Sequence, residues 1–367
     1  MRVLMLSKAC IVGIYQRKLE AIAELGVDLL TLVPPSWKDE RGETRLERAY
    51  TQGYRLEETP IWFNGSFHLH LYPHFARVLR QFRPDIVHID EEPYNAATWQ
   101  ALYAARRVGA KTLFFSWQNI QRNYPPPFSL GERWVLRQID YALMGTESAA
   151  QVWRSKGYTG PLRVVPQFGV DPELFHPQPQ DPNRPFTIGY FGRLVPEKGL
   201  TLLLDAVTRL EGDWWLRLVG GGPQRAELQA LAQQLGIVER VTFCDLLPSA
   251  QMPAQYAALD AYVLPSLTRP NWKEQFGRVL VEAMASGVPV IGSDSGAIPD
   301  VIGEAGLIFP EGDAAALASQ LRRLQADSTL RQTLAVQGRA RVLKHFTHQQ
   351  VAQATVEVYR AMMDSRQ

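Results

Sequence analysis

The chain has 367 residues, with 39 Lys+Arg against 37 Asp+Glu, 46% hydrophobic and 10% aromatic side chains. At about 150 residues per domain this is room for roughly two domains, and the composition excludes a disordered, fibrous or disulfide-stapled chain. A net charge of +2, not sharply divided between the halves, excludes strong attraction to nucleic acid and leaves at most a weak contact with a membrane surface.

Two cysteines, Cys10 and Cys244, make no disulfide framework and are expected as buried free thiols of a cytoplasmic protein. The opening MRVLML stops at Lys8, too short for a signal peptide and suited to a first buried strand. No run of about 18 apolar residues occurs, so no spanning helix is expected. Short β-branched runs then alternate with segments of helical period. Strands are predicted at Val3–Leu6, Leu29–Val33, Ile86–Ile89, Thr112–Phe115, Tyr141–Met144 and Leu162–Val165. The charged region 34–60 is expected as a surface excursion and 59–76 as an aromatic loop. Residues 74–83 are expected as a helix with a basic face. Pro166–Pro185 is rich in proline, lacks periodicity and reads as an inter-domain linker. Alternation restarts at Thr187–Tyr190, Leu216–Val219, Val241–Phe243, Ala261–Leu264 and Val288–Ile291, and a last amphipathic helix covers Thr347–Met363. The fold class is therefore α/β: two doubly wound parallel-sheet units, 1–166 and 186–346, a linker at 167–185 and a closing helix at 347–367. Ligands of such sheets sit beyond the carboxyl ends of the strands, so two units facing each other make a cleft with a site on each wall.

Three segments carry candidate chemistry. Residues 190–199 read YFGRLVPEKG after a strand: Gly192 allows a close turn, while Arg193 and Lys198 are two cations suited to a diphosphate. The same spacing also fits a solvated turn with ordinary surface charges. Residues 273–290 read KEQFGRVLVEAMASGVPV, with a helix predicted from Gln275 to Gly287. Glu274 falls at its edge, and Glu282 lies about 80° round and about 12 Å along, so both line one wall without touching. The first free amides, near Phe276, Gly277 and Arg278, form a site for phosphate or a sugar edge. Glu282 sits among apolar residues and needs buried partners. The third segment, Gly220-Gly-Gly-Pro223, is a ligand-facing loop or a plain turn.

Together these segments resemble the nucleotide-sugar-dependent glycosyltransferases of family 4, group 1. The carriers are GRLVPEKGL (192–200), VGGGP (219–223), the stretch 264–302 with its Glu274 and Glu282 pair, and FGVDPELFHP (168–177). The resemblance implies a GT-B fold with two Rossmann-like domains and a retaining, metal-independent hexosyltransferase without cofactor. The donor would be a nucleoside-diphosphate sugar, and the acceptor a saccharide, a lipid-linked molecule or a small molecule. It implies that Arg193, Lys198 and Glu274 are catalytic. Gly192, Gly221, Leu246, Phe276, Gly277, Arg278, Val279 and Glu282 would hold the donor, with Glu282 on the ribose. The first domain would hold the acceptor, near Gly13, Glu91, Gln118 and Asn119. Here it departs from the family: a single glycine follows the first strand, and no histidine lies at Phe114–Asn119. The protein is expected in the cytoplasm, with a peripheral contact at the inner membrane face left open.

Other signals compete. His68, His70 and His74 suggest zinc, but no cysteine lies nearby, and Trp62 and Phe67 suit sugar stacking better. Asp90, Glu91 and Glu92 either bind acceptor hydroxyls or form a solvated acidic turn. The alternatives to a transferase are a nucleotide-sugar epimerase and a non-catalytic nucleotide-sugar binder on the same fold.

Overall fold

The structure, a computed structural model, describes residues 1–39, 42–179, 184–248 and 251–364. The chain divides into two units, Met1–Gly169 together with the last helix, and Val170–Thr347.

In unit 1 the elements are β1 (Arg2–Leu6), α1 (Arg17–Glu24), β2 (Asp28–Val33), β3 (Ser36–Asp39), β4 (Gly42–Arg45), β5 (Arg55–Glu58), α2 (Phe75–Phe82), β6 (Ile86–Ile89), α3 (Ala96–Arg107), β7 (Lys111–Ser116), α4 (Phe128–Gln138), β8 (Tyr141–Met144), α5 (Glu147–Ser155) and β9 (Leu162–Val164). Seven of the strands form a parallel sheet in the order β5-β2-β1-β6-β7-β8-β9. Alternation along β1 feeds two cores: Leu4 and Leu6 on one face, Val3 and Met5 on the other. Helices cover both faces, which is why the central strands read as continuous apolar runs.

The region 34–60 is more than a surface excursion. Strands β3 and β4 pair antiparallel, and β5 adds to the sheet edge beside β2. The sequence Arg-Leu-Glu-Glu hid that strand because an edge strand with wet faces tolerates charge. Helix α2 ends where Arg83 turns to φ 50°.

Unit 2 comprises β10 (Phe186–Phe191), α6 (Leu200–Val207), β11 (Trp214–Val219), α7 (Arg225–Gln234), β12 (Val241–Cys244), α8 (Met252–Ala257), β13 (Ala261–Leu264), α9 (Arg278–Ala285), β14 (Val290–Ser293), α10 (Ile298–Ile302), β15 (Leu307–Phe309), α11 (Ala314–Ala326) and α12 (Ser328–His345). Its parallel sheet runs β12-β11-β10-β13-β14-β15. Strand β14 starts later than predicted because the Val288 amide still bonds the Ala283 carbonyl (2.9 Å) and so belongs to the helix's closing turn. The proline-rich stretch is packed from Val170 onward: Val170 and Phe175 lie in the unit 2 core. Residues 180–183 of that stretch fall outside the described residues.

Helix α13 (His348–Asp364) returns to unit 1, burying Val351, Thr355, Val358 and Tyr359. Cys10 is buried, and burial pushes its thiol up to about 12, with the Asp90 carboxylate adding to the effect. Cys244 is only half-buried, unlike its expectation, because it ends the outermost strand of its sheet. Among the described residues no helix is long and apolar enough to cross a membrane.

Helix α13 is pinned by one buried polar contact, with the Tyr359 hydroxyl 2.6 Å from His88 Nδ1 on β6. Tyr359→Phe leaves that ring nitrogen unpartnered in the core. It is expected to destabilise unit 1 by about 1–3 kcal/mol. Thermal unfolding measures this, and an unchanged midpoint contradicts it.

Candidate active site

In unit 2, β10 has β11 on one side and β13 on the other. The chain therefore leaves β10 and β13 in opposite directions, which opens a crevice at their carboxyl ends. The loop after β10 holds Gly192 to Gly199, and the loop after β13 holds Ser266 to Gly277. The two loops are stapled together. The Leu267 amide donates to the Glu197 carbonyl (2.8 Å). Gly199 adopts φ +66°, and a Cβ there would lie 2.0 Å from the Pro265 carbonyl oxygen. Only glycine permits this approach.

The staple brings two predicted residues into contact. Lys198 Nζ donates to Glu274 Oε2 at 2.5 Å, and Ser266 Oγ donates to the same oxygen at 2.9 Å. The two side chains are 14% and 10% exposed, and the ammonium lies 4.8 Å from the Trp272 ring centroid. The Glu274 backbone is held in turn, its carbonyl accepting the Ala297 amide at 3.1 Å. Arg193 is not brought into this pair. Its guanidinium is half-exposed and faces Glu197 at 3.6 Å.

Helix α9 starts three residues later than predicted, at Arg278. Gly277 precedes it at φ +76°, a left-handed turn that breaks helical geometry. Phe276 therefore lies before the helix, its ring 5.7 Å from that of Phe346, and the helical amides begin at Arg278 and Val279. For the same reason the helical spacing expected between Glu274 and Glu282 does not hold, since Glu274 is on the loop. Glu282 has the buried partners it needs: it accepts from the Tyr256 hydroxyl (2.9 Å) and pairs with Arg278 Nε (3.0 Å). Next to β10, the Gly192 amide donates to the Val219 carbonyl and the Leu194 amide to the Gly221 carbonyl, each at 2.9 Å. This ties the glycine loop to the site. Leu246 is 79% exposed beside an Asp245–Arg225 pair. The ensemble is a desolvated ammonium, a second cation and a helix N-terminus. Such groups stabilise negative charge that develops on a leaving oxygen.

Unit 1 has its own switch point, between β1 and β6. Its acidic run is no solvated turn. Asp90 accepts from Ser7 Oγ (2.5 Å) and Gln167 Nε2 (2.7 Å). Glu91 is buried against Lys8 Nζ, with His70 Nε2 at 3.4 Å and Asn95 Nδ2 at 3.2 Å. Glu92 accepts from Ser116 Oγ (2.6 Å) and the Trp117 amide (3.0 Å). The predicted Gly13 is committed elsewhere, its amide donating to Glu47 Oε2 at 2.7 Å. Gln118 and Asn119 are buried, and Gln118 Nε2 donates to the Ile120 carbonyl at 3.0 Å. Sequence reasoning missed Lys8 and Glu47, and it weighed His70 as a zinc ligand rather than as a partner of Glu91. Their partners lie far off along the chain, and the acidic run at 90–92 was the one visible signal. Among the described residues no group of His, Cys, Asp and Glu side chains makes a ligand set; His70 faces Glu91, while His68 packs among Phe67, Tyr94, Tyr124 and Phe128.

The neighbouring carboxylates titrate in opposite directions. Burial alone would raise Glu91, but Lys8 and then His70 outweigh it and hold the carboxyl at about 2. Burial lifts Glu92 from 4.5 to about 7 against the pull of its two hydrogen bonds. Because the folded value is the higher one, the Glu92 contribution is complete below the unfolded value and is lost as pH rises through about 7. Glu92→Gln mimics the protonated form. Its melting temperature relative to the parent is expected to improve as pH rises from about 5 to about 8. A difference that does not vary with pH contradicts the assignment.

Comparison with known proteins bears on the family and the fold. A family model described as glycosyl transferases group 1 matches residues 171–341, and a glycosyl transferase 4-like domain matches residues 14–167. The chain is 30% identical over 336 residues to the GDP-mannose-dependent α-(1-6)-phosphatidylinositol monomannoside mannosyltransferase of Mycolicibacterium smegmatis, covering 84% of each chain. It is 27% identical to the 2-deoxystreptamine glucosyltransferase of Streptomyces kanamyceticus over 85% of this chain and 88% of that one. Among solved structures, sucrose-phosphate synthase of Thermosynechococcus elongatus superposes with a TM-score of 0.73 at 22% identity and full coverage of both chains. HepE of Anabaena, solved with UDP and glucose, gives 0.70 at 20% identity, covering 98% of this chain and 100% of that one. The chain belongs to the group 1 glycosyltransferases of family 4, enzymes of the GT-B fold.

Proposed function

We propose that this glycosyltransferase moves a hexose from a nucleoside diphosphate to an acceptor hydroxyl, with retention of anomeric configuration and without a metal ion. The observation that carries this reading is the Lys198 ammonium, held out of water against Glu274 at the switch point of unit 2. A low-exposure ammonium interacts more strongly with an incoming anion than a solvated one does. Arg193 is the second cation, and the amides that open α9 add partial positive charge. The diphosphate takes its place among them, Glu274 receives hydroxyls of the sugar, and Glu282 receives those of the ribose. Two relatives support the donor class, one named for GDP-mannose and the other solved with UDP and glucose.

In the reaction the bond from C1 to the bridging phosphate oxygen breaks, and its electron pair stays on the diphosphate. The sugar passes through an oxocarbenium-like state, and the acceptor oxygen bonds C1 from the face the diphosphate leaves. A departing phosphate oxygen takes the acceptor's proton, so no protein base is required. This is consistent with a segment 116–119 that carries Ser, Trp, Gln and Asn but no histidine. Charge grows on the diphosphate as the bond breaks, so Lys198 and Arg193 bind the transition state better than the ground state. The relatives named above are transferases, and no observation favours an epimerase or a silent binder.

A thermal-shift panel of nucleoside diphosphates and their sugars tests the donor reading. A cognate ligand at 100 times its Kd is expected to add about 2.7 kcal/mol of stability. Lys198→Ala is expected to lower turnover on the best donor by on the order of a hundredfold, in a protein that still unfolds cooperatively. Near-normal turnover removes Lys198 from the role.

A further inference from the structure

The loop after β13 does more than carry Glu274. Before reaching it, the chain folds into a tight hairpin. The Arg269 amide donates to the Trp272 carbonyl (2.8 Å), and the Trp272 amide donates back to the Arg269 carbonyl (3.1 Å). Pro270 and Asn271 form the exposed tip. The base of the hairpin is tied down. The Thr268 amide donates to Glu311 Oε2 (2.8 Å), and Thr268 Oγ1 lies 3.0 Å from the hydroxyl of the buried Ser295. These two partners stand in the loops after β15 and β14. An anchored turn of this kind fixes where the Trp272 ring lies.

The ring lies against Lys198. Trp272 and Glu274 are two residues apart, the spacing at which side chains of an extended segment share a side. The Lys198 ammonium meets both, donating to Glu274 and lying 4.8 Å from the Trp272 ring centroid, within cation–π range.

The two partners do different work. A lysine stem has four carbons and rotates freely, so a carboxylate alone leaves the ammonium able to swing about it. The ring supplies a second point of attachment. A second carboxylate would fix the ammonium as well, but it would give the group a net negative charge and repel a diphosphate. An aromatic face attracts a cation without adding net charge. Among the described residues the ammonium makes one side-chain hydrogen bond, to Glu274, out of the three its N–H groups allow. It is therefore held in place with bonding capacity left for phosphate oxygens.

We propose that Trp272 is a positioning residue for the leaving diphosphate: its ring face, together with Glu274, fixes the direction of the Lys198 ammonium, and it acts on the diphosphate only through that ammonium. The inference rests on the assignment of the diphosphate to Lys198.

The full chain is titrated by calorimetry with UDP, GDP, ADP and dTDP, and the tightest of them is carried through a set of variants. Trp272→Met and Trp272→Leu remove the aromatic face and keep an apolar side chain, whereas Trp272→Phe keeps a face. Each aliphatic variant is expected to raise the Kd about tenfold, and Trp272→Phe by less than about threefold. Thermal unfolding identifies variants that still fold cooperatively, and either aliphatic variant suffices for the comparison. In a Lys198→Met background, adding Trp272→Met is expected to change the Kd by less than about twofold, because the group it positions is gone. A role in packing alone would not distinguish an aromatic from an aliphatic replacement. Equal affinity in the aliphatic and Phe variants, or a full further loss on adding Trp272→Met to Lys198→Met, overturns the proposal and leaves the donor reading standing. Failure of all four diphosphates to bind the parent chain, or an unchanged Kd in Lys198→Met, overturns the donor reading and this inference with it.

Discussion

An ammonium and a carboxylate are each costly to withdraw from water alone, and the Lys198–Glu274 pair is where unit 2 withdraws both together. Neither group leads: removing one strands the other in a covered site. The pairing needs two loops from neighbouring strands to touch along their backbones, which Gly199 permits against the Pro265 carbonyl. It needs Glu274 to be held from behind, which the Ala297 amide does. It also needs α9 to begin after Glu274 rather than through it, which left-handed Gly277 enforces. The glycines of these loops are thus geometric requirements of one charge pair. An anion that arrives there meets a cation already desolvated and oriented, so little reorganisation remains for the reaction itself.

Unit 1 repeats the device with different surroundings. Its lysine lies between aromatic rings, and its backbone donors are occupied by Glu47 and Glu92. The same doubly wound topology therefore sets a covered lysine–glutamate pair at each switch point, beside Trp272 in one unit and beside Phe67 and Trp37 in the other. Fold alone does not say what either pair does.

Much of this was legible in the sequence, for identifiable reasons. The apolar runs of both sheets are buried on two faces, so their hydrophobicity is continuous and unmistakable. Lys198, Glu274 and Glu282 stood out because their neighbours form a dense local pattern. What stayed hidden depends on distance along the chain or on backbone sign. Strand β5 is charged because it is an edge. The start of α9 was misplaced because a left-handed glycine leaves no trace in hydrophobic period. Lys8 and Glu91 are 83 residues apart, and Gly13 and Glu47 are 34 apart, so no local spacing announces either contact. Arg193 and Lys198 looked equivalent in sequence, yet only one is covered and paired with Glu274.

The central claim is that the Lys198 ammonium, partnered by Glu274, is the cation that receives a diphosphate. A crystal structure with a bound nucleoside diphosphate tests it most directly. The account predicts phosphate oxygens within hydrogen-bond reach of Lys198 Nζ and of the first amides of α9, with Glu274 still beside the lysine. A diphosphate seated elsewhere, with the Lys198–Glu274 pair untouched and no phosphate oxygen near it, would contradict the account.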